Sequence, residues 1–325
     1  MIGRSKSSMI RYDLIIIGGG ASGLSAAVSA LQNGIKKVLI LERESLLGGN
    51  LNLFIHQGFG EYYLGKEVTG PEFASELIRE FKALGGSYKI DTEVLEVTKN
   101  KIVTYVNPEE GVQEIKANVI IIASGCRERF TGNINVPIHK YTGIYSLVSA
   151  HKLVNLKGYL PGKEIIILGK NNRSLLVAVR LMLEGAKIKA IIASNYTENI
   201  DEKFKKYIKD FNINIIENSR IIELSGDERL HSIDIESSID NSINTIECDS
   251  LILTVGYFPD LNFIRKSNIE LNEKGYLNVN NYETCASGIF ACGSVLTGKI
   301  DLFNKGEEGY KAGIIASNYI KKYFY

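Results

Sequence analysis

Cysteine is scarce in this chain of 325 residues: Cys126, Cys248, Cys285 and Cys292 form no CxxC pair and no zinc-ligand spacing. No metal site is expected. Scattered, reduced, structural thiols in a chain of this size point to the cytoplasm. A charge of one sign is also lacking. Lys+Arg 38 against Asp+Glu 37 leaves a net charge of +1, so no basic field recruits nucleic acid or acidic lipid. No apolar run is long enough to span a bilayer. The opening MIGRSKSSMIRYD lacks the apolar stretch of a signal peptide and reads as a loose leader, with Met9 an internal alternative start. Low-complexity tracts are absent. What the chain does have is 31 glycines and 45% hydrophobic residues, which suit an α/β protein with many tight turns and, at this length, two domains.

The glycines concentrate first in DLIIIGGGASGLSAA, from Asp13 to Ala27. An apolar strand, Leu14–Ile17, runs into a glycine-rich turn, a helix rich in alanine and serine, a second strand and the acid Glu42. This order and spacing match the dinucleotide-binding fingerprint. Gly18 permits the tight turn, Gly20 lets main chain approach a pyrophosphate, and Gly23 brings the helix onto the strand. The helix start at Ala21 and Ser22 then presents free N–H groups and a partial positive charge to the phosphates. Glu42 is placed to accept hydrogen bonds from a ribose.

A second strand–turn–helix unit begins at Glu164. The strand Ile165–Leu168 precedes Gly169, then Leu175, Leu176, Val179 and Leu183 recur at helical spacing, and Lys187–Ala193 supplies the next strand. Between the units, Glu93–Val97 and Lys101–Val106 flank the turn signal Asn107-Pro108-Glu109-Glu110-Gly111, an antiparallel meander. Asn118–Ala123 is a continuous β-branched run ending in Ser124-Gly125. The second unit carries its own meander, near Ile221–Glu223, Ser232–Glu236 and Asn244–Cys248, followed by Ser250–Val255. A strand is expected at Tyr276–Val279 and a helix from about Glu307 to Tyr319.

The fingerprint, IIIASGCRER (Ile120–Arg129) and TCASGIFACGS (Thr284–Ser294), in this order, resemble the two-dinucleotide-domain flavoproteins, the class containing thioredoxin reductase and the pyridine nucleotide–disulfide oxidoreductases. The resemblance spans essentially the whole chain. It implies an α/β fold of two Rossmann-like, three-layer ββα domains, the second inserted in the first: residues 1–138 and 257–325 for FAD, 139–256 for NAD(P). It also implies that FAD lies against Gly18, Gly20, Ala21, Ser22 and Gly23, with Glu42 and Arg43 after the second strand, Val94 in the meander and Ala123-Ser124-Gly125 at the crossover. Gly293 and Ser294 would approach its ribityl and pyrophosphate, and Leu302 would precede a final helix whose positive end faces the flavin. Ser294 stands where many relatives carry an aspartate, a weaker partner for the ribityl chain.

GGNLNLFIHQGFG (Gly48–Gly60), VTGPEF (Val68–Phe73) and SGCRER look like flavin subunits that accompany opine, sarcosine and cyanide-forming oxidases and anaerobic glycerol-3-phosphate dehydrogenase. By that analogy Gly49, Asn50 and Leu51 line the flavin. His56 is the titratable candidate in the loop, either a hydrogen-bond or proton donor to the flavin or a loop histidine satisfied by main chain. Arg127, Glu128 and Arg129 read either as nicotinamide contacts or hinge, or as a solvated turn with a local ion pair. The implied role is an oxidoreductase passing electrons through FAD, from NAD(P)H or between dehydrogenase subunits; the alternative is a flavin-bearing docking subunit. Expected partners are a redox protein, a dehydrogenase subunit or a second copy of the chain. Without a second cysteine near Cys126, disulfide reductase activity is not expected.

The second glycine turn reads Gly169-Lys170-Asn171-Asn172-Arg173-Ser174. Asn171 and Ser174 replace two fingerprint glycines, and the following strand ends in Ala193-Ser194, without an acid or arginine. Two readings stay open. Either NAD(P)H still binds, clamped by Lys170 and Arg173, or the fold is kept and nicotinamide binding is lost.

Overall fold

The computed structural model describes residues 9–130, 136–193, 199–298 and 305–325; for Lys203 and Lys305 only the main chain is considered. By packing, the chain divides into two units: Met1–Arg127 with Phe258–Tyr325, and Glu128–Tyr257. The first break precedes residue 138, where the resemblance put it, and the second adjoins residue 256.

In the larger unit, the strands Ile289–Ala291, Gly111–Ile122, Arg11–Ile17, Val38–Leu41 and Ser87–Lys89 lie side by side in that order, all parallel. Leu14, Ile15 and Ile16 are fully buried, because both faces of the sheet are covered and neither alternate set of side chains meets water. Ile15, Ile17, Leu39, Leu41, Ile120 and Ile122 share one core with Val97, Val103 and Ile115 of the meander. That meander is Glu93–Val97, Ile102–Asn107 and the first half of Gly111–Ile122, paired antiparallel. The helices Ala21–Gln32, Gly70–Ala83 and Lys305–Phe324 belong to the same unit, the last packing along the first. Sheet, meander and helices make the three layers expected.

The VTGPEF segment is a helix start. The Thr69 hydroxyl accepts the Glu72 N–H while the Glu72 carboxylate accepts the Thr69 N–H, a reciprocal cap with Pro71 in the first turn. Gly70 is required by close approach: a Cβ there would lie 2.3 Å from the Leu51 carbonyl oxygen. The helix start therefore seats the Gly49–Leu53 turn.

The smaller unit repeats the plan. Ile144–Ser146, Ser250–Leu253, Glu164–Leu168, Lys187–Ala193 and Ile215–Glu217 form a parallel sheet in that order, and Ser219–Gly226, Leu230–Ser237 and Ile243–Glu247 form an antiparallel one. Its helices are Leu147–Lys157, Asn172–Leu183 and Glu202–Asp210. Two expectations change. The final helix is longer than 307–319. Of Tyr276–Val279 only Val279 joins a ladder, within Val279–Asn280, while Leu277 makes a single bridge to Leu271. The turn Asn272–Tyr276, closed through the Asn272 side chain, holds this stretch away from the sheet.

The meander turn also sets an acid-stability term. The Glu110 carboxylate accepts Lys89 Nζ at 2.8 Å, the Tyr105 hydroxyl at 2.9 Å and Asn107 Nδ2 at 3.0 Å. The Lys89 bond leads the three in holding its pKa down to about 2 from 4.5. A depressed carboxyl adds stability above pH 4.5 and loses it as pH falls from 4.5 toward 2. Glu110→Gln is expected to lower the urea midpoint near pH 7 and to flatten its curve against pH across that interval, so that variant and parent converge toward pH 2. The group is partly exposed, so solvent screening keeps the effect modest.

Candidate functional site

The N-terminal fingerprint folds as its sterics demand. Gly18 has φ +105°, and a Cβ there would sit 2.4 Å from the Ala123 carbonyl oxygen. Gly23 has no room either: its Cβ would meet the Gly18 oxygen at 1.9 Å, so helix and strand touch through main chain. Gly20 is different. A Cβ built on it meets nothing within 4 Å. As N-cap of Ala21–Gln32 it offers no side-chain cap, and first-turn N–H groups of a helix have no intrahelical acceptor. Open space, donors and the positive end of the helix dipole coincide there, which fits a pyrophosphate.

Glu42 holds this turn from the side. One carboxylate oxygen accepts the Gly19 N–H at 2.6 Å and the other the Glu44 N–H at 2.9 Å. Burial pushes its pKa up, against the pull of these two main-chain donors. Sequence reasoning assigned Glu42 to a ribose; the structure also makes it the brace of the glycine turn, with each oxygen keeping a lone pair. Arg43, just beyond, is ion-paired with Asp260. Arg127 Nε reaches the same carboxylate at 2.9 Å, the Ser124 hydroxyl donates to the Asp260 carbonyl at 2.7 Å, and the Asp260 N–H donates to the Gly125 carbonyl at 3.0 Å. Asp260 thus joins Arg43, Ser124, Gly125 and Arg127. No local motif marks it, because its partners come from distant parts of the chain.

The remaining residues gather around the same turn. The Gly48 N–H donates to the Gly19 carbonyl at 2.8 Å, and a Cβ on Gly49 would touch Gly20 Cα at 3.0 Å. Gly49, Asn50 and Leu51 open the 3-10 turn Gly49–Leu53, with Asn50 partly exposed and Leu51 buried. From the C-terminal part, a Cβ on Gly293 would meet the Ser22 hydroxyl at 2.5 Å, and one on Gly125 would meet the Ser294 hydroxyl at 3.3 Å. Gly293 therefore lies against the helix start at Ser22, Ala123 backs Gly18, and Gly125 lies beside Ser294.

Val94 sits in the meander with its side chain buried in the core, which leaves a ligand its main chain. His56 Nδ1 lies 2.8 Å from the Gln57 carbonyl oxygen, and its ring packs beside Phe54 and Phe59. Main chain thus engages one of the two ring nitrogens, Nδ1. Leu302, with Asp301 before it, lies outside the described residues. A further contact escaped the sequence reading: Gly309 and Gly313 of the final helix pack directly on main chain of the first helix at Ser22 and Ala26.

The second glycine turn begins identically and then departs. Gly169 has φ +104°, and its Cβ would lie 2.4 Å from the Thr254 carbonyl oxygen, the counterpart of Gly18 against Ala123. The Gly169 N–H donates to Ile192 as that of Gly18 does to Leu41, which makes Ala193 the counterpart of Glu42. From there Asn171 fills the turn. Its side-chain oxygen accepts the Ser174 N–H at 2.8 Å, its Nδ2 donates to Thr254 Oγ1 at 2.8 Å, and the Ser174 hydroxyl accepts the Asn171 N–H at 2.9 Å. Such a cap stabilises a helix by about 1 kcal/mol and occupies donors that a phosphate would use. Lys170 is bound to Glu217 at 2.8 Å. Arg173 is 3% exposed and lies on the side of Glu128, whose carboxyl burial raises and the guanidinium partly lowers. Of the two residues offered as phosphate clamps, Lys170 is thus ion-paired and Arg173 is buried. The Arg127–Arg129 turn is likewise no simple solvated knot, since Arg127 is tied to Asp260 and Glu128 accepts the Val148 N–H at 2.8 Å.

Among the described residues no group of acidic, histidine and cysteine side chains could hold a metal, and no helix is long and apolar enough to cross a membrane. All four cysteines are free thiols, with Cys248 and Cys292 buried.

The profile of the family "Pyridine nucleotide-disulphide oxidoreductase" matches residues 12–309. A Clostridium pasteurianum sequence described as a 34.2 kDa protein in the rubredoxin operon is 24% identical over 95% of this chain and 97% of its own. Thioredoxin reductase of Borreliella burgdorferi is 24% identical over 95% of this chain and 92% of its own. The crystal structure of Lactococcus lactis thioredoxin reductase, in its FR conformation, superposes with a TM-score of 0.79 at 22% identity, covering 96% of this chain and 99% of that one. These similarities are to reductases of the general class and do not single out flavin subunits of opine, sarcosine or glycerol-3-phosphate dehydrogenases. They also give no support to excluding disulfide reduction, which rests on cysteine placement alone.

Proposed function

The chain belongs to the pyridine nucleotide-disulphide oxidoreductase family, whose members bind FAD and use NAD(P)H, and within it we propose a cytoplasmic electron-transfer flavoprotein that exchanges electrons with a protein partner. The observation that carries this reading is the arc at Gly20, open where a pyrophosphate would lie and backed by an uncapped helix start.

FAD, when bound, supplies the redox chemistry. The chain's own residues bind and orient it. The N–H groups of the first helical turn take the phosphates, and Glu42 keeps Gly19 in place while offering a lone pair to a ribose hydroxyl. Main chain at Gly49 and Leu51 and the Asn50 amide border the ring system, and Ser294 donates or accepts through its hydroxyl. His56, held against Gln57 through Nδ1, keeps the loop in shape. On this reading the larger, discontinuous unit is the FAD unit.

Two features favour a protein partner. One relative is described from a rubredoxin operon and another is named thioredoxin reductase, both by reference to small redox proteins. Within this chain, no CxxC dithiol is present to relay electrons internally. On that ground we also propose that it is not itself a disulfide reductase, and that a dehydrogenase subunit is an equally suitable partner.

The test is direct. Purified protein is expected to be yellow, to release FAD on denaturation and to bleach at the flavin absorbance with dithionite. Reoxidation by a co-purifying redox protein supports the relay. A flavin that dithionite reduces, yet that no partner or donor reduces or oxidises, would assign the chain to docking instead.

A further inference from the structure

We propose that the smaller unit binds no pyridine dinucleotide: its phosphate place is filled by the Asn171–Ser174 cap of its own helix. The inference rests on the flavoprotein reading above and concerns which donors reach that flavin.

The two glycine turns provide an internal comparison. They share the positive-φ glycine, the main-chain contact behind it and the hydrogen bond to the neighbouring strand. What differs is everything a phosphate and a ribose would touch. At Gly20 the space beyond Cα is open. At Asn171, its counterpart, a side chain stands there, 8% exposed and tied to both Ser174 and Thr254. At Gly23 the helix meets the turn through bare main chain, whereas Ser174 bonds back to Asn171 through both its hydroxyl and its N–H.

A phosphate entering this turn would have to displace the asparagine side chain from two buried partners. No other group in the turn compensates. The Asn172 side-chain oxygen accepts the Asp201 N–H at 3.0 Å, Lys170 is held by Glu217, and Arg173 is buried. At the ribose position Ala193, 6% exposed, has no acceptor to offer, while Glu42 in the other unit has two oxygens. Pyrophosphate, ribose and charge compensation are therefore all missing from one site. The fold is kept because Gly169 and the buried strands specify it, and neither depends on a ligand.

The experiment uses the FAD-loaded full chain. NADH and NADPH are titrated by calorimetry, and in parallel the anaerobic flavin spectrum is followed with each nucleotide and then with dithionite. The expected result is no saturable heat at up to about 1 mM of either nucleotide, no bleaching by either, and full bleaching by dithionite. Saturable binding of either nucleotide in the micromolar range, or flavin reduction by either, would overturn the proposal. A protein that is colourless, or whose colour dithionite leaves unchanged, fails the flavoprotein reading instead, so the two failures are told apart.

A graft supplies the converse. The triple variant Asn171→Gly, Ser174→Gly, Ala193→Glu copies the FAD turn into the smaller unit. It is expected to bind NADH at least tenfold more tightly than the parent. A folded variant, by circular dichroism and flavin content, that stays as silent as the parent also overturns the proposal, since the cap would then not be what closes the site. If the variant does not fold, the titration of the parent decides alone.

Discussion

Gly20→Val is expected to leave the apoprotein folded and to strip it of FAD. The main chain at Gly20 is extended, at φ −78° and ψ −169°, a conformation that a β-branched residue adopts readily. Its Cβ would meet no protein atom within 4 Å, so the fold should register only a small change. The added methyl groups would instead stand in the arc where a pyrophosphate approaches main chain. A loss of at least 100-fold in FAD affinity, about 2.8 kcal/mol, is expected. The ratio of flavin to protein absorbance after purification, a flavin titration of the apoprotein and its urea midpoint check the two halves separately. A variant that keeps its flavin would remove the central support for the cofactor site.

The largest effect on stability is expected from Gly309→Ala. The Cβ would lie 2.1 Å from the Ser22 oxygen and 2.6 Å from Ser22 Cα, both main-chain atoms that cannot swing aside. The final helix must then move off the first, with overpacking costs of about 3 kcal/mol. The higher helix propensity of alanine offsets about 1 kcal/mol of this, leaving a net loss of roughly 2 kcal/mol. Because Ser22 sits in the fingerprint helix, FAD affinity should fall as well. Gly306→Ala is the control. Its nearest neighbour is the tip of the Phe73 ring at 3.0 Å, a side chain that can yield, so its urea midpoint should move far less.

The legible parts of this protein are those whose physics is local. The Gly18-x-Gly20-x-x-Gly23 turn could be read directly because each glycine answers a demand made within a few residues: a positive φ, an open approach, a helix laid on its own strand. The Asn171 and Ser174 replacements were visible for the same reason. Their consequence was not. Spelling alone left the second turn open to a relaxed phosphate site with Lys170 and Arg173 as clamps. The groups those two side chains meet, Glu217 for Lys170 and the side of Glu128 for Arg173, lie 47 and 45 residues away along the chain, respectively.

Asp260 is the clearest case of a residue no pattern could announce, since it reaches Arg43 across 217 positions. What Gly309 and Gly313 must allow is set by the first helix packed against them. Tyr276–Val279 had the composition of a strand, yet the Asn272 turn took most of it away from the ladder.

Composition and short-range spacing were enough to establish two Rossmann-like units, the glycine turn that carries the dinucleotide-binding spelling and the loss of glycine from its twin, because hydrophobic periodicity and backbone sterics act over one or two turns of chain. Packing alone established that Glu42 braces Gly19, that Asp260 ties the crossover together, and that Asn171 seals its own helix start, because each depends on atoms brought together by folding and on the burial that makes an unsatisfied donor costly.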